Sequence, residues 1–272
     1  MHETGETPMN EQDAARPRAG MVTFVGAGPG DPELVTVKGR KAIETADLVL
    51  YAGSLVPRAL VACARPEATV VDSAPLSLEE GHARVRQVAL AGGRVARVHT
   101  GDPSLYGALR EQTALLDADG IPWRVIPGVT AACAAAAAAG VSFSIPGVSQ
   151  SLILCRTAGR TPVPERESLA ALAAHRTAMA VYLSAQAADH MARELGRELA
   201  PETPVLCAQR VGWPDQRLVW TTLADLPACV ECHGFDRQTM FLVLPGELEA
   251  RKAGEPARSR LYAPDFSHGW RP

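Results

Sequence analysis

A glycine-bearing loop near the middle of the chain has residue types that could bind a ligand. Residues 100–107 include Gly, Asp and Pro, and they follow a run at 94–98 that predicts a β-strand. Leucines at helical spacing predict a helix over 105–119. Open α/β sheets bind ligands at such loops, where backbone amides and a carboxylate, here Asp102, can contact a polar ligand. An ordinary strand-to-helix turn has the same residues, so this loop alone does not establish a site.

A second glycine-rich loop follows the predicted strand at 21–25. It reads Gly-Ala-Gly-Pro-Gly over 26–30, which invites comparison with the dinucleotide-binding fingerprint. Two features argue against that motif. Pro32 lacks an amide and restricts Asp31, and no Asp or Glu follows the next strand, at 48–51, to bind a ribose hydroxyl. A nicotinamide-dependent dehydrogenase is therefore disfavoured, and titration with NAD would test it.

A possible metal or haem motif lies near the end of the chain. Cys229, Cys232 and His233 match the CxxCH pattern of covalent haem attachment. That pattern belongs to exported proteins, whereas residues 1–20 are polar and lack the apolar core of a signal peptide. The motif is predicted to lie in a polar loop, and Cys207 is the only other cysteine nearby, too few ligands for structural zinc. We expect no haem and no tightly bound zinc.

Composition limits the classes of partner. The 272 residues are 47% hydrophobic and 5% aromatic, with a net charge of −3, so local arginines rather than the overall field must meet an anionic ligand. The sequence lacks the basic patch interleaved with aromatic residues that is typical of nucleic-acid-binding proteins. It also has no apolar run that approaches the ~20 residues of a membrane span. We expect a cytoplasmic protein with reduced thiols. Three cysteines in apolar runs are predicted to be small core residues: Cys63, Cys133 and Cys155.

Arginines are the candidates for an anion site. Most are expected on solvated faces, while a minority could bind an anionic substrate bidentately, and the sequence does not say which. The candidates are Arg58, Arg65, Arg84, Arg86, Arg94, Arg97, Arg110 and Arg124.

Strands alternate with helices along most of the chain, which defines the fold class as α/β. The first predicted strands lie at 21–25, 48–51, 69–71, 94–98 and 123–126, with helices between them. This alternation predicts a mainly parallel sheet with helical crossovers. After a Gly-, Ser- and Pro-rich boundary, strands predicted at 151–155, 178–183, 205–208, 218–221 and 240–244 are joined by helices and short turns, which predicts a mixed sheet.

Two α/β domains with a cleft between them are therefore expected. The N-terminal domain is predicted over 21–140 and the C-terminal domain over 147–246. Residues 1–20 are predicted to be a disordered tail, because their composition cannot bury enough apolar surface to offset the entropy of ordering. Residues 247–272 form a charged, Pro-containing C-terminal extension.

Three loops taken together resemble the signatures of the tetrapyrrole methylase family, two-domain α/β enzymes that use S-adenosylmethionine (SAM). The resemblance is carried by residues 25–36, 100–103 and 127–131, and it covers about 21–244. Two further stretches, 51–57 and 261–269, resemble the branch that methylates precorrin-4 at carbon 11 to give precorrin-5 in cobalamin biosynthesis. The anaerobic counterpart acting on cobalt-precorrin-4, and other tetrapyrrole C-methyltransferases of this fold, stay open.

The resemblance also implies a site. SAM, which leaves as S-adenosylhomocysteine, would be held in the cleft largely by backbone and apolar contacts, with no metal required. The implied cofactor-binding positions are Pro29, Thr100, Gly101, Asp102, Leu105, Thr130, Ala131, Leu183 and Ala208. Asp102 is the candidate for a catalytic polar role, and the candidates for binding the tetrapyrrole are Arg58, Tyr51 and Ser54. A homodimer is implied as well.

Other functions stay open on the sequence alone. The same fold could methylate another ring carbon, a modified protein histidine or ribosomal RNA. A regulator that binds SAM or a nucleotide without chemistry would carry the same loops. A co-purified ligand would not separate enzyme from regulator, but turnover would.

Overall fold

The computed structural model describes residues 19–253 together with 259, 266, 267 and 269. The chain divides into a first compact unit that ends at Val129 and a second that begins at Thr130. In the described part of the chain, no helix has the length and apolar character needed to cross a membrane.

The first unit is built on a sheet of five parallel strands. The strands are β1 (Val22–Gly26), β2 (Leu48–Tyr51), β3 (Thr69–Asp72), β4 (Val95–His99) and β5 (Trp123–Ile126). The helices are α1 (Val37–Glu44), α2 (Arg58–Val61), α3 (Leu78–Leu90) and α4 (Leu109–Ala118), with a 3-10 turn at Pro32–Leu34. The strand order is β3-β2-β4-β1-β5, which confirms the predicted parallel sheet.

Helices cover both faces of this sheet, and alternate residues of β4 point to opposite faces. Ala96 and Val98 pack in an apolar cluster with residues of α1 and α2. Val95 packs in a second cluster with residues of α3 and α4. Arg97 and His99 have the same parity as Val95, so the α3/α4 face becomes polar toward the carboxyl end of β4.

The second unit is built on a mixed sheet, also as predicted. Its strands are β6 (Leu152–Arg156), β7 (Ala178–Tyr182), β8 (Pro204–Gln209), β9 (Arg217–Thr222) and β10 (Thr239–Val243). The order is β6-β7-β10-β8-β9, and of these pairings β6 with β7 is parallel while the others are antiparallel. Its helices are α5 (Ala131–Ala139), α6 (Leu169–Ala173), α7 (Ala188–Leu195), α8 (Leu226–His233) and α9 (Pro245–Ala253), with 3-10 turns at Glu165–Glu167 and Ala185–Ala187.

The division of the chain differs from the predicted domain boundary at 140–147. Helix α5 packs against β10 and therefore belongs to the second unit, so the units separate after Val129. Residue 20, predicted to be in the tail, is also part of the fold: Gly20 is buried and its amide donates to the Ala89 carbonyl at 2.7 Å. Residues 1–18 lie outside the described residues. The predicted extension at 247–272 begins inside α9, and most of its remainder is not described.

Two local predictions were wrong. The helix predicted from residue 105 begins at Leu109, because Tyr106 and Ala108 have left-handed backbone angles, with φ of 56° and 49°. The stretch that ends at His233, predicted to be a polar loop, is helix α8.

The three cysteines predicted to lie in the core differ in burial. Cys155 is buried as expected, Cys63 is half-buried, and Cys133 is exposed on the surface of α5.

Candidate functional site

Three glycine-bearing loops interlock at the carboxyl end of neighbouring strands β4, β1 and β5. The Gly28 amide donates to the Gly101 carbonyl at 3.2 Å, and the Gly101 amide donates to the Gly28 carbonyl at 2.7 Å. The Ala27 amide donates to the His99 carbonyl at 2.8 Å. These bonds fix the loop after β1 against the loop after β4, at the edge where parallel sheets bind ligands.

The loop after β5 approaches the other two so closely that only glycine fits. A Cβ on Gly128 would lie 2.2 Å from the Gly101 carbonyl oxygen and 2.7 Å from the Gly26 Cα. A Cβ on Gly26 would lie 2.4 Å from the Gly128 nitrogen. Gly101 itself has a φ of 61°, in the region that favours glycine.

Asp102 joins two of these loops through its carboxylate. Its Oδ2 accepts from the Gly128 amide at 2.9 Å, and its Oδ1 accepts from the Ser104 amide at 2.9 Å and from the Ser104 hydroxyl. Burial alone would raise the pKa of Asp102, but the bonds from Ser104 and Gly128 hold that pKa below its ordinary value. Asp102 is therefore an ionised group whose oxygens are already engaged.

The segment after Asp102 folds tightly over His99. Gly107 lies between the left-handed Tyr106 and Ala108, and a Cβ on Gly107 would meet the Pro103 carbonyl oxygen at 2.7 Å and His99 Nδ1 at 2.9 Å. Left-handed backbone at a residue other than glycine costs roughly 1–3 kcal/mol and tends to occur at functional sites. The strain thus lies beside the three interlocked loops.

A cavity of about 340 Å³ lies on the α3/α4 face beneath this segment. Its lining includes Thr100 and Leu105, two of the predicted cofactor positions, and also Arg97 and His99. Burial lowers the pKa of Arg97 to about 10. Burial, and then the charge of Arg97, lower the pKa of His99 to about 3, so this imidazole is neutral at physiological pH.

Arg97 and His99 are the polar groups that the sequence reasoning missed. On the sequence, Arg97 is one of eight candidate arginines, of which only Arg58 has a predicted role, and His99 has none. A usable signal existed: Val95, Arg97 and His99 are alternate residues of a strand in the middle of the chain's first sheet, so two polar side chains face the same side as a core valine.

Among the predicted cofactor positions in the second unit, Thr130 and Leu183 lie near each other. Thr130 Oγ1 is 2.5 Å from the hydroxyl of Tyr182, the residue before Leu183. Leu183 is 75% exposed and left-handed, with a φ of 55°. The Ser184 hydroxyl fixes this turn by donating to the Tyr182 carbonyl at 2.6 Å.

The other predicted cofactor positions differ in exposure. Ala131 opens α5 and is half-buried, and Pro29 is buried in the loop after β1. Ala208 is fully buried near the carboxyl end of β8.

The three predicted substrate positions are placed differently from one another. The Tyr51 side chain is buried in the apolar cluster with α1 and α2, whereas Ser54 and Arg58 are exposed. The loop that carries Ser54 is fixed by Asp72, whose Oδ1 accepts from the Gly53 amide at 2.8 Å. This loop therefore presents Ser54 and Arg58, but not Tyr51, to solvent.

The CxxCH residues lie on and at the end of one helix. Cys232 is exposed, while Cys229 is half-buried beside the fully buried Cys207 of β8. Burial, and then the neighbouring Cys229, raise the pKa of Cys207, which keeps that thiol protonated. Within the described ranges, no three or more His, Cys, Asp or Glu side chains are placed to hold a metal ion.

Comparison with known proteins gives a consistent family. The family model for Tetrapyrrole (Corrin/Porphyrin) Methylases matches residues 21–227. A precorrin-4 C(11)-methyltransferase of Pseudomonas aeruginosa is 44% identical over 92% of this chain and 98% of its own length.

Solved structures are similar as well. The X-ray structure of a cobalt precorrin-4 methyltransferase is 42% identical, covers 83% of this chain and 95% of that one, and has a TM-score of 0.81. A uroporphyrin-III C-methyltransferase of Thermus thermophilus, solved with S-adenosylhomocysteine, is 26% identical, covers 85% of this chain and 100% of that one, and has a TM-score of 0.68.

Proposed function

Because the chain belongs to the tetrapyrrole (corrin/porphyrin) methylase family, we propose that it transfers a methyl group from SAM to carbon 11 of precorrin-4. The product is precorrin-5, an intermediate of cobalamin biosynthesis. Support comes from the 44% identity to a relative with that activity in its name. Cobalt-precorrin-4 is the second candidate substrate, because a solved methyltransferase named for it is 42% identical to this chain.

The observation that carries the proposal is the interlocking of the three glycine loops. Gly26, Gly101 and Gly128 bring main chain from three loops together at one edge of the sheet, where a side chain would block the approach. This arrangement fits a cofactor held largely by main-chain contacts at that edge. A relative of this chain was solved with S-adenosylhomocysteine, which supports SAM as the methyl donor.

Asp102 takes a positioning role in this proposal rather than that of a base. A carboxylate that accepts from Gly128 and twice from Ser104, with a lowered pKa, is a poor proton acceptor. Its bonds instead hold the loop after β5 against the loop after β4. We therefore assign Asp102 to the shape of the cofactor site.

The chemistry asks little of the side chains. SAM, when bound, supplies a methyl group on a positively charged sulfur that is already electrophilic, so we propose that no metal is needed. The loops after β1, β4 and β5 then have to align the substrate carbon with that methyl group and exclude water. Alignment of this kind can lower a barrier by ~7–11 kcal/mol without any catalytic base.

The cofactor positions that the family resemblance implies in the second unit are Thr130, Ala131, Leu183 and Ala208. Leu183 offers an exposed apolar side chain on a fixed turn, and Thr130 offers a hydroxyl bonded to Tyr182. Ala131 would contribute at the start of α5, whereas the fully buried Ala208 presents no side-chain surface to a ligand. The implied homodimer and cytoplasmic location stay predictions, which light scattering and cell fractionation would check.

Turnover is the direct test of the function. The purified protein is incubated with SAM carrying a 13C-methyl group and with either precorrin-4 or cobalt-precorrin-4, and the new methyl carbon is located by NMR. We expect one new methyl, at carbon 11, on at least one of the two tetrapyrroles. Methylation at another ring carbon would reject the assigned position, and no transfer to either tetrapyrrole would reject the function.

The cofactor site has its own test in Gly128→Ala. The added Cβ would fall 2.2 Å from the Gly101 carbonyl oxygen, so the loop must move. We expect the affinity for S-adenosylhomocysteine, measured by calorimetry, to fall at least 100-fold. Gly159→Ala is the matched control, because a Cβ there meets nothing within 4 Å and should leave affinity unchanged. Equal affinities in the two variants would remove this loop from the site.

A further inference from the structure

We propose that the cavity on the α3/α4 face binds a carboxylate arm of the tetrapyrrole substrate, with Arg97 as the cation that receives it. This inference rests on the proposed function, since it assigns a subsite for the substrate of that reaction. The cavity measures about 340 Å³, which is too small for a whole macrocycle and sufficient for an acetate or propionate arm with the edge of one ring.

Arg97 reaches the cavity already oriented but without a counter-ion. Its Nε donates to Gln112 Oε1 at 2.9 Å, and its Nη1 donates to Ser73 Oγ at 2.9 Å and to the Leu50 carbonyl at 3.3 Å. All three acceptors are neutral. None of the ion pairs formed by the described residues includes Arg97. Buried charges in proteins are normally paired, so an unpaired guanidinium beside a cavity favours an anion there.

The surroundings of the cavity agree with a negatively charged occupant. None of the described residues that line it is Asp or Glu. His82, on α3, also lines the cavity, and its Nε2 bonds to Asp119 at 2.7 Å, a carboxylate that Arg86 also contacts. Asp119 is thereby engaged by His82 and Arg86 and forms no ion pair with Arg97. Apolar walls can cover the methylene groups of an arm; they include Leu55, Leu76 and Leu78.

His99 is a second, independent observation that points to a polar ligand. Its side chain lines the same cavity and is only 8% exposed, yet its Nε2 is buried with no hydrogen-bond partner among the described residues. A buried polar nitrogen left unpaired is costly, and each such case calls for a partner. A neutral imidazole with its proton on Nε2 can donate to a carboxylate oxygen, so His99 would complement Arg97.

The test places an internal counter-ion beside Arg97. In Ser73→Asp, a carboxylate would stand where Ser73 Oγ now accepts from Arg97 at 2.9 Å, so the guanidinium keeps a partner, while the bond that the hydroxyl donates to the Tyr51 carbonyl at 3.1 Å is lost. We expect the melting temperature to stay equal or rise, the KM for precorrin-4 to rise at least tenfold, and the Kd of S-adenosylhomocysteine to change less than twofold. Ser73→Asn is the isosteric neutral control and should change KM less than threefold.

A small carboxylate identifies which ligand uses the subsite. Sodium propionate should inhibit the wild type competitively with precorrin-4, with sodium chloride at equal ionic strength as control, and this inhibition should be lost in Ser73→Asp. Propionate that competes with SAM would assign the cavity to the cofactor's carboxylate and overturn the proposal. If the wild type methylates precorrin-4 but the KM for precorrin-4 is unchanged in Ser73→Asp, the subsite proposal is also overturned. A wild type without turnover would instead reject the proposed function.

Discussion

The two faces of the parallel sheet in the first unit differ in chemistry although they share every strand. On the face covered by α1 and α2, β4 contributes Ala96 and Val98, both fully buried among apolar side chains. On the face covered by α3 and α4, it contributes Arg97 and His99 beside a cavity. One face is therefore a continuous core, whereas the other becomes polar toward the edge where the glycine loops lie. The apolar cluster and the proposed ligand contacts thus lie on opposite sides of one strand.

The largest effect should follow from a cavity made in the apolar face. Ile43 of α1 is fully buried in the cluster with Val98, and Ile43→Ala should destabilise the fold by roughly 2–5 kcal/mol. Urea unfolding would measure the loss. Val37→Ala on the same helix is the control, because Val37 is 72% exposed and its truncation should cost within about 0.5 kcal/mol.

Binding of S-adenosylhomocysteine to Ile43→Ala tests whether the α1/α2 face of the sheet also contributes to the ligand site. In Ile43→Ala, the affinity for S-adenosylhomocysteine should stay within about twofold of wild type when measured well below the melting temperature. A large loss of affinity without unfolding would mean that the α1/α2 face also shapes the site, and the contrast between the faces would be broken.

The polar face should show itself in the pH dependence of stability. The folded-state pKa of His99 is about 3, because of burial and then Arg97, while an unfolded histidine titrates near 6.5. The unfolded chain therefore takes up the proton first, and stability is lost as pH falls from about 6.5 toward 3. Between pH 7.5 and 5.0 this one group should cost about 2 kcal/mol.

The measurement compares urea unfolding of the wild type and His99→Gln at the two pH values. Arg97 shares the strand with His99, and His82 of α3 lines the same cavity with its ring nitrogen bonded to Asp119. Both remain in the variant, so the difference isolates His99. Equal losses of stability in the two proteins would show that His99 titrates normally and that the α3/α4 face is accessible to water at His99.

The sequence predicts the strands and the glycine loops well, for local reasons. Apolar runs bounded by Gly and Pro define β1, β4 and β5, and glycines are needed wherever Gly26, Gly101 and Gly128 approach one another. Their interlocking joins residues far apart in the chain, so the sequence could place each loop but not the hydrogen bonds between them.

Features that depend on tertiary packing were not predictable in the same way. The sequence pattern predicts that α5 ends the first domain, whereas its contact with β10 places it in the second unit. Tyr106 and Ala108 have left-handed backbone although neither is glycine, so the sequence does not indicate that α4 begins at Leu109 rather than at residue 105. The alternation along β4 places Arg97 on the same side as a core valine, but its neutral partners Ser73 and Gln112 are known only from the fold.

The smallest effect should come from Arg58, an arginine on the other side of the same unit. Arg58 opens α2 and is exposed, in contrast to Arg97 in its cavity. An ion pair formed by an exposed arginine contributes roughly 0.2–1 kcal/mol, because water screens the charge. Arg58→Ala should therefore raise the KM for precorrin-4 by at most about fivefold. Arg193→Ala, an exposed arginine on α7 of the second unit, is the control with the same charge change. If Arg58→Ala raised KM more than Ser73→Asp while Arg193→Ala had no effect, the main carboxylate contact would lie at the start of α2. Arg97 and His99 on the polar face of β4 would then not be the main contacts of the substrate carboxylates.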